Sequence, residues 1–163
     1  MSNNAADVLA LLANPDALEN LKTTYPEIEP GVYEWSIKAM EQRTSDSGFE
    51  YINVQLSLVS TTARDLNGVA LNPGYTMSHM LALSTTDKAI EERGEEEAKA
   101  QTAARIAAFL DAFQKNRYWD ATFADYIGKR LFAKVSMSKE RTDKKTGVVY
   151  DARPEIKSFI KLS

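Results

Sequence analysis

The sequence predicts a mainly β fold with helices: a five-stranded β-barrel in the order β-β-β-α-β-β, preceded by a short helical N-terminal extension. Three observations carry this reading. Two early segments, "VYEWSIKAM" and "FEYINVQLSLVS", alternate apolar and polar residues with the period of two that a half-buried strand requires. One long stretch, about 87–117, changes to helical spacing. The last quarter then returns to alternation in "KRLFAKVSM" and "VVYDARPEIKSFIKL".

In chain order, residues 5–13 and 15–23 read as two short helical pieces broken at Asn14-Pro15, because proline is tolerated in the first turn of a helix but not inside one. They form the extension, 1–29. In strand one Tyr33, Trp35, Ile37 and Ala39 share the inward face, with Glu34, Ser36 and Lys38 outward. The turn "RTSDSG" leads to strand two, where Ile52, Val54, Leu56 and Leu58 point in and Tyr51, Asn53, Gln55 and Ser57 point out. A loop with Gly and Pro, "TTARDLNGVALNPG", precedes "YTMSHMLALS", a third strand whose inward face is ambiguous because Met80 and Ala82 interrupt the alternation. The helix over about 87–117 allows a break at Gly94 and repeats Ala103, Ile106, Phe109, Leu110 and Phe113 on one face. Strand four places Leu131, Ala133, Val135 and Met137 inward and Arg130, Phe132, Lys134 and Ser136 outward. The turn "SKERTDKKTG" joins it to strand five.

A chain of 163 residues is long enough to bury a core and short for two, so residues 1–163 are expected to be a single domain, with the barrel over 30–162. The element order suits an OB-fold, whose outer face and long loops bind nucleic acids or sugars. A content of 44% hydrophobic and 26% charged residues fits a soluble protein, and no apolar run reaches the roughly 20 residues of a membrane helix. Without a basic leader or any cysteine, a cytoplasmic location is expected and disulfides and thiolate metal sites are excluded.

The segment "IGKRLFAKVSMSKERTDKKTGVVYDARPEIKSFI" combines a hydrophobic-Gly-Lys entry, alternating β residues, a basic turn ending in Gly, and an Ile-rich exit. It resembles the last hairpin of single-stranded-DNA-binding proteins encoded by bacteriophages. Strand one, "PGVYEWSIKAM", and the glycine after its turn fit the same pattern. The resemblance covers about residues 30–162, with 62–127 carried by element order alone. It implies an OB-fold protein that coats single-stranded DNA, without regard to sequence, during phage replication or recombination in the host cytoplasm. Many such proteins end in an acidic recruiting tail; here the sequence ends on "KSFIKLS", and tail-mediated recruitment is not expected.

The charge distribution points the same way. From Gly128 to Ser163 ten Lys or Arg face four Asp or Glu, a balance of +6, whereas the first 127 residues carry ten against nineteen, or −9. Sequence-independent binding of a single strand needs cations that track phosphates and aromatic faces on which bases stack. Strand four supplies both, with Phe132 between Arg130 and Lys134 on the outward face at about 7 Å spacing. The candidate site adds Lys38, Tyr51 and Asn53 on strands one and two. Arg43 joins from the turn between those strands, and Lys139, Arg141, Lys144 and Lys145 from the turn between strands four and five. Collecting the cations on one wall would attract a polyanion while the acidic remainder keeps the protein soluble.

Plainer readings stand beside these. Phe132 is equally compatible with a ring covered by the N-terminal helices or by a second subunit, so a homo-oligomer stays open. A lone lysine in a β-turn is commonly just solvated. Trp35 reads as core by parity, Tyr118 and Trp119 as closing the barrel bottom, and His79, the only histidine, as a rim or core residue. "EERGEEEAKA" reads as a solvated helical face rather than a cation site, and "IGKR" lacks the Gly and Ser or Thr of a phosphate loop. No cofactor, metal or catalytic activity is expected. The alternatives are an assembly protein, as of a phage particle, that uses the barrel's outer face for protein contacts, and a carboxylate-metal nuclease. DNA is not separated from RNA by these residues.

Overall fold

The structure is a computed structural model and describes residues 4–19 and 26–163. Its elements are helices α1 (Ala5–Ala13) and α2 (Pro15–Glu19), strands β1 (Gly31–Thr44), β2 (Glu50–Leu58) and β3 (Thr76–Ala82), helices α3 (Asp87–Arg93) and α4 (Glu95–Asp111), a 3₁₀ turn at Ala124–Tyr126, and strands β4 (Arg130–Met137), β5 (Arg141–Thr142), β6 (Val149–Tyr150) and β7 (Pro154–Phe159). Five strands form one antiparallel sheet in the order β3-β2-β1-β4-β7, and β5 pairs with β6 in a separate two-stranded ribbon. Among the described residues, no helix is long and apolar enough to cross a membrane.

The alternating residues make the core. Trp35, Ile37, Ile52, Val54, Leu56, Leu58, Leu131 and Val135 are fully buried on the inner face of the sheet, and Phe109 of α4 and Tyr126 join them. On β3 Leu81 is buried and Met77 and His79 are half-buried, while Thr76, Ser78 and Met80 are exposed, so the alternation holds. His79 meets Phe159 edge-on at 5.1 Å, bringing the two outer strands β3 and β7 together. From Phe159 the aromatic contacts continue to Phe109 at 5.1 Å, Phe113 at 5.2 Å and Tyr126 at 5.3 Å.

Three expected inward positions are exposed. Ala39 turns outward because the β1–β2 register slips between Ile37, opposite Leu56, and Ala39, opposite Gln55: Lys38 is the extra residue of a β-bulge, and one extra residue exchanges the two faces of a strand. Met137 lies opposite Pro154, beyond the last buried cross-strand pair of Val135 and Ile156. Ala103 is on the solvent side of α4, whose buried stripe runs through Ala98, Thr102, Phe109 and Leu110.

Element ends follow local chemistry. Asn14 Oδ1 accepts from the N–H groups of Asp16 and Ala17 at 3.1 and 3.3 Å, capping α2 at the predicted break. Residues 20–23 of the second predicted helical piece lie outside the described residues. The long helix is split at Gly94, where φ is +85°, and ends at Asp111 rather than Arg117; the Asp111 carboxylate instead holds the Arg117 guanidinium at 2.6 and 2.8 Å. Predicted strand five is divided in two. Ser138 N–H donates to the Arg153 carbonyl at 2.7 Å and Arg153 N–H to Ser138 Oγ at 3.0 Å, closing the base of an excursion that contains the β5–β6 ribbon.

Candidate nucleic-acid interface

On β4, burial of Leu131, Ala133 and Val135 forces Arg130, Phe132 and Lys134 to the outer face, where Phe132 is 50% exposed. The register with β1 sets their neighbours: Ser36 opposite Arg130, Glu34 opposite Phe132, Val32 opposite Lys134. Glu34 Oε1 lies 3.7 Å from Arg130 Nη1, so one cation of the row is partly compensated. On the other side, Ile160 N–H donates to the Phe132 carbonyl at 2.9 Å. Val32 and Ile160 are exposed and extend the apolar surface around the ring.

The bulge decides what the β1–β2 hairpin presents. With Lys38 absorbing the slip, Glu41 stands opposite Asn53 and Arg43 opposite Tyr51 on the outward face. Because β1 runs on to Thr44, Arg43 is a strand residue and not the turn residue that the sequence suggests. Its guanidinium donates twice to Glu41 Oε2, at 3.0 and 3.1 Å, and this bond holds it more firmly protonated than usual. Tyr51 is half-buried, Lys38 is exposed, and the outward row continues from Asn53 to Met80 on β3.

The ribbon carries the remaining cations. In "TDKKTG" the Asp143 carboxylate accepts from Lys145 N–H at 2.8 Å, and Gly147, at φ +71°, donates its N–H to the Asp143 carbonyl at 2.8 Å, so Lys144 and Lys145 occupy a tight, exposed tip. The Arg141 guanidinium lies 5.0 Å over the Tyr150 ring. A cleft of about 440 Å³ at the ribbon's base is lined by Ser138, Lys139, Arg141, Tyr150, Asp151, Arg153 and Glu155. Tyr150 and Arg153 are not among the sequence-based candidates; the available signal is the five-residue Asp-to-Gly turn, Asp143 to Gly147, across which Arg141 pairs with Tyr150.

These residues do not share one wall. Gly31 pairs with Val135 near the ribbon, whereas Thr44 pairs with Glu50 at the β1–β2 turn, so the two loops sit at opposite ends of a fourteen-residue strand. That is about 40 Å of strand length. The cations form three sets: Lys38 and Arg43 along β1, Arg130 and Lys134 on β4, and the four of the ribbon. The acidic run behaves as a solvated face, with Lys99 paired to Glu95 at 3.1 Å and Lys88 to Glu92 at 4.0 Å. Among the described residues, no group of three His, Asp or Glu is placed to hold a metal ion.

One further surface stands out between α4 and β4. Tyr118 and Trp119 are 46% and 50% exposed, so they do not close the interior. Buried Tyr126 holds them: its hydroxyl donates to the Tyr118 carbonyl at 2.6 Å and accepts the Asp120 N–H at 2.7 Å. Asp120 in turn accepts from Thr122 N–H, Thr122 Oγ1 and Asp125 N–H at 3.0, 2.7 and 2.9 Å, bonds that keep its carboxyl below the usual range. Phe123 beside it adopts φ +64°, a left-handed conformation costing on the order of 1 kcal/mol in a non-glycine residue. No protein-family model matches the chain, and no curated protein matches it.

Proposed function

We propose that the protein binds single-stranded DNA without regard to sequence, as an OB-fold coat protein of phage DNA replication or recombination that performs no catalysis. The observation that carries this reading is the exposed Phe132 ring between Arg130 and Lys134 on a sheet face, a stacking surface with a cation on either side. The OB-fold reading is supported by the strand order β3-β2-β1-β4-β7, by α4 lying between β3 and β4 in the chain, and by the His79–Phe159 contact that draws the outer strands toward barrel closure. The ribbon then corresponds to the long loop between the last two barrel strands, and its exposed lysines supply charge to a passing backbone.

Titration of labelled oligo(dT), oligo(rU) and a duplex at two salt concentrations tests the proposal. Tighter binding to the single strand than to the duplex, falling steeply with salt, is the expected result. Equal affinity for duplex and single strand would refute it. A second reading, an assembly protein, is favoured by one observation: exposed apolar residues stand on both sides of β4, Val32 opposite Lys134 and Ile160 bonded to the Phe132 carbonyl. Absence of oligonucleotide binding together with self-association lost in Phe132→Ala would select that reading.

A further inference from the structure

We infer that Tyr118 and Trp119 form a second base-stacking platform, reached by a single strand that leaves Phe132 and passes Arg130, Lys129 and Lys38. The inference rests on the proposed single-stranded-DNA reading and extends its site to a loop outside the β4 row and the ribbon. Two large rings half in solvent, with Ile127 also 45% exposed, are a concentration of apolar surface that calls for an occupant. The rings are not held by mutual stacking. Tyr118 meets Tyr126 at 52°, and Trp119 meets Phe123 at 82° and Tyr126 at 57°, so neither ring is stacked parallel on these neighbours and about half of each residue remains exposed. The Tyr126 and Asp120 hydrogen bonds fix the loop beforehand, which lowers the ordering cost of binding.

Continuity with the β4 row selects the occupant. Gly128 N–H donates to the Ile37 carbonyl at 2.8 Å and Ile37 N–H to the Lys129 carbonyl at 2.9 Å, tying the end of the aromatic loop to β1 beside the Lys38 bulge. Lys129 precedes Arg130 directly, and Lys38 follows the Ile37 that Gly128 and Lys129 bond; both are exposed, so positive charge stands where the aromatic loop joins β1 and β4. The loop's carboxylates, Asp120 and Asp125, oppose phosphate. The arrangement accordingly suits bases on the rings and the backbone along Lys129 and Lys38, where an acidic peptide would be repelled from the aromatic loop itself.

The chain has two tryptophans, and Trp35 is fully buried, so fluorescence changes on binding report on Trp119. Oligo(dT) of about 16 nucleotides, the upper end of the range bound per OB-fold, should quench the wild-type emission in step with binding measured from a labelled strand. Trp119→Phe should abolish the quench while keeping most of the affinity, and Trp119→Ala should raise Kd about tenfold while lowering Tm by only a few degrees, as for another half-exposed ring. Oligo(dT) of about 4 nucleotides, too short to join both platforms, should lose less affinity in Trp119→Ala. Binding that is weakened by Phe132→Ala but gives no Trp119 quench and is indifferent to Trp119→Ala would overturn this inference and leave the proposed function standing. No binding by the wild type would overturn both.

Discussion

Replacing Phe132 by Ala separates binding from folding. The ring is half exposed, and its partners across the sheet are Glu34 on one side and the Ile160 backbone on the other. A fully buried phenylalanine truncated to Ala costs about 3 to 5 kcal/mol. At half burial, with no cavity left behind, the loss is about 1 kcal/mol, which for a chain of this length lowers Tm by roughly 2 to 4 °C. Removal of a base-stacking surface costs about 1 to 3 kcal/mol of binding, so Kd for oligo(dT) should rise between about 5-fold and 150-fold. Thermal melting by circular dichroism and anisotropy titration on the same preparation measure both quantities. A fall in Tm beyond about 10 °C would refute the outward placement, and an unchanged Kd would refute the stacking role.

Reversing charge with Lys144→Glu and Lys145→Glu should weaken oligo(dT) binding and reduce the slope of log K against log salt by up to about 1.4, since a phosphate contact on a single strand contributes about 0.7; an unchanged slope would return both lysines to bulk solvent. Burial lowers the pKa of His79 below its ordinary 6.5, so the native state resists the proton that the unfolded chain accepts. Stability from this group is therefore full above about pH 6.5 and falls as the pH drops toward the depressed native value; His79→Gln should flatten that limb in a urea-melt series, and an identical limb in the variant would show that other groups produce it. Deleting Lys38 removes the bulge and should destabilise by about 2 kcal/mol or more by turning Met40 out of its half-buried site, whereas Lys38→Ala keeps the bulge and should cost under about 1 kcal/mol. Equal melting temperatures for the two variants would show that the bulge does not set the face.

The fold was legible where one period ran unbroken. Ile52 to Leu58 and Leu131 to Val135 alternate without interruption, and both strands bury the predicted residues. Strand one was legible only as far as Ile37, because a bulge leaves the composition of a strand untouched while reversing every side chain after it. Ala39 was misplaced for that reason, whereas Arg43 was assigned to the turn because β1 runs on to Thr44, beyond the Met40 that ends the alternating segment. The helix was over-extended because Phe113 continues the apolar spacing of Phe109; beyond Asp111 the chain turns so that Arg117 meets the Asp111 carboxylate, a pairing six residues apart that periodicity does not encode. The exposure of Trp119 was hidden for a different reason. Aromatic residues are usually buried, and the device that presents this ring, Tyr126 bonded to two backbone groups of the loop, joins residues that carry no sequence motif.

The separation of the cations constrains how a strand could be held. The ribbon alone offers four, Lys139, Arg141, Lys144 and Lys145, and at about 0.7 per contact it supplies a salt slope of at most about 2.8. Adding Arg130 and Lys134 raises the limit to about 4.2, and adding Lys38 and Lys129 to about 5.6. Arg43 contributes little to either figure while Glu41 holds its guanidinium. A strand caught only by the ribbon tip and a strand laid across β4 toward the bulge therefore differ by a factor of about two in a quantity read from one salt titration. A slope above about 2.8 requires contacts outside the ribbon. A slope of about 1.4 that vanishes in the doubly reversed Lys144 and Lys145 variant would confine binding to the ribbon tip, leaving the Phe132 row without phosphate contacts of its own.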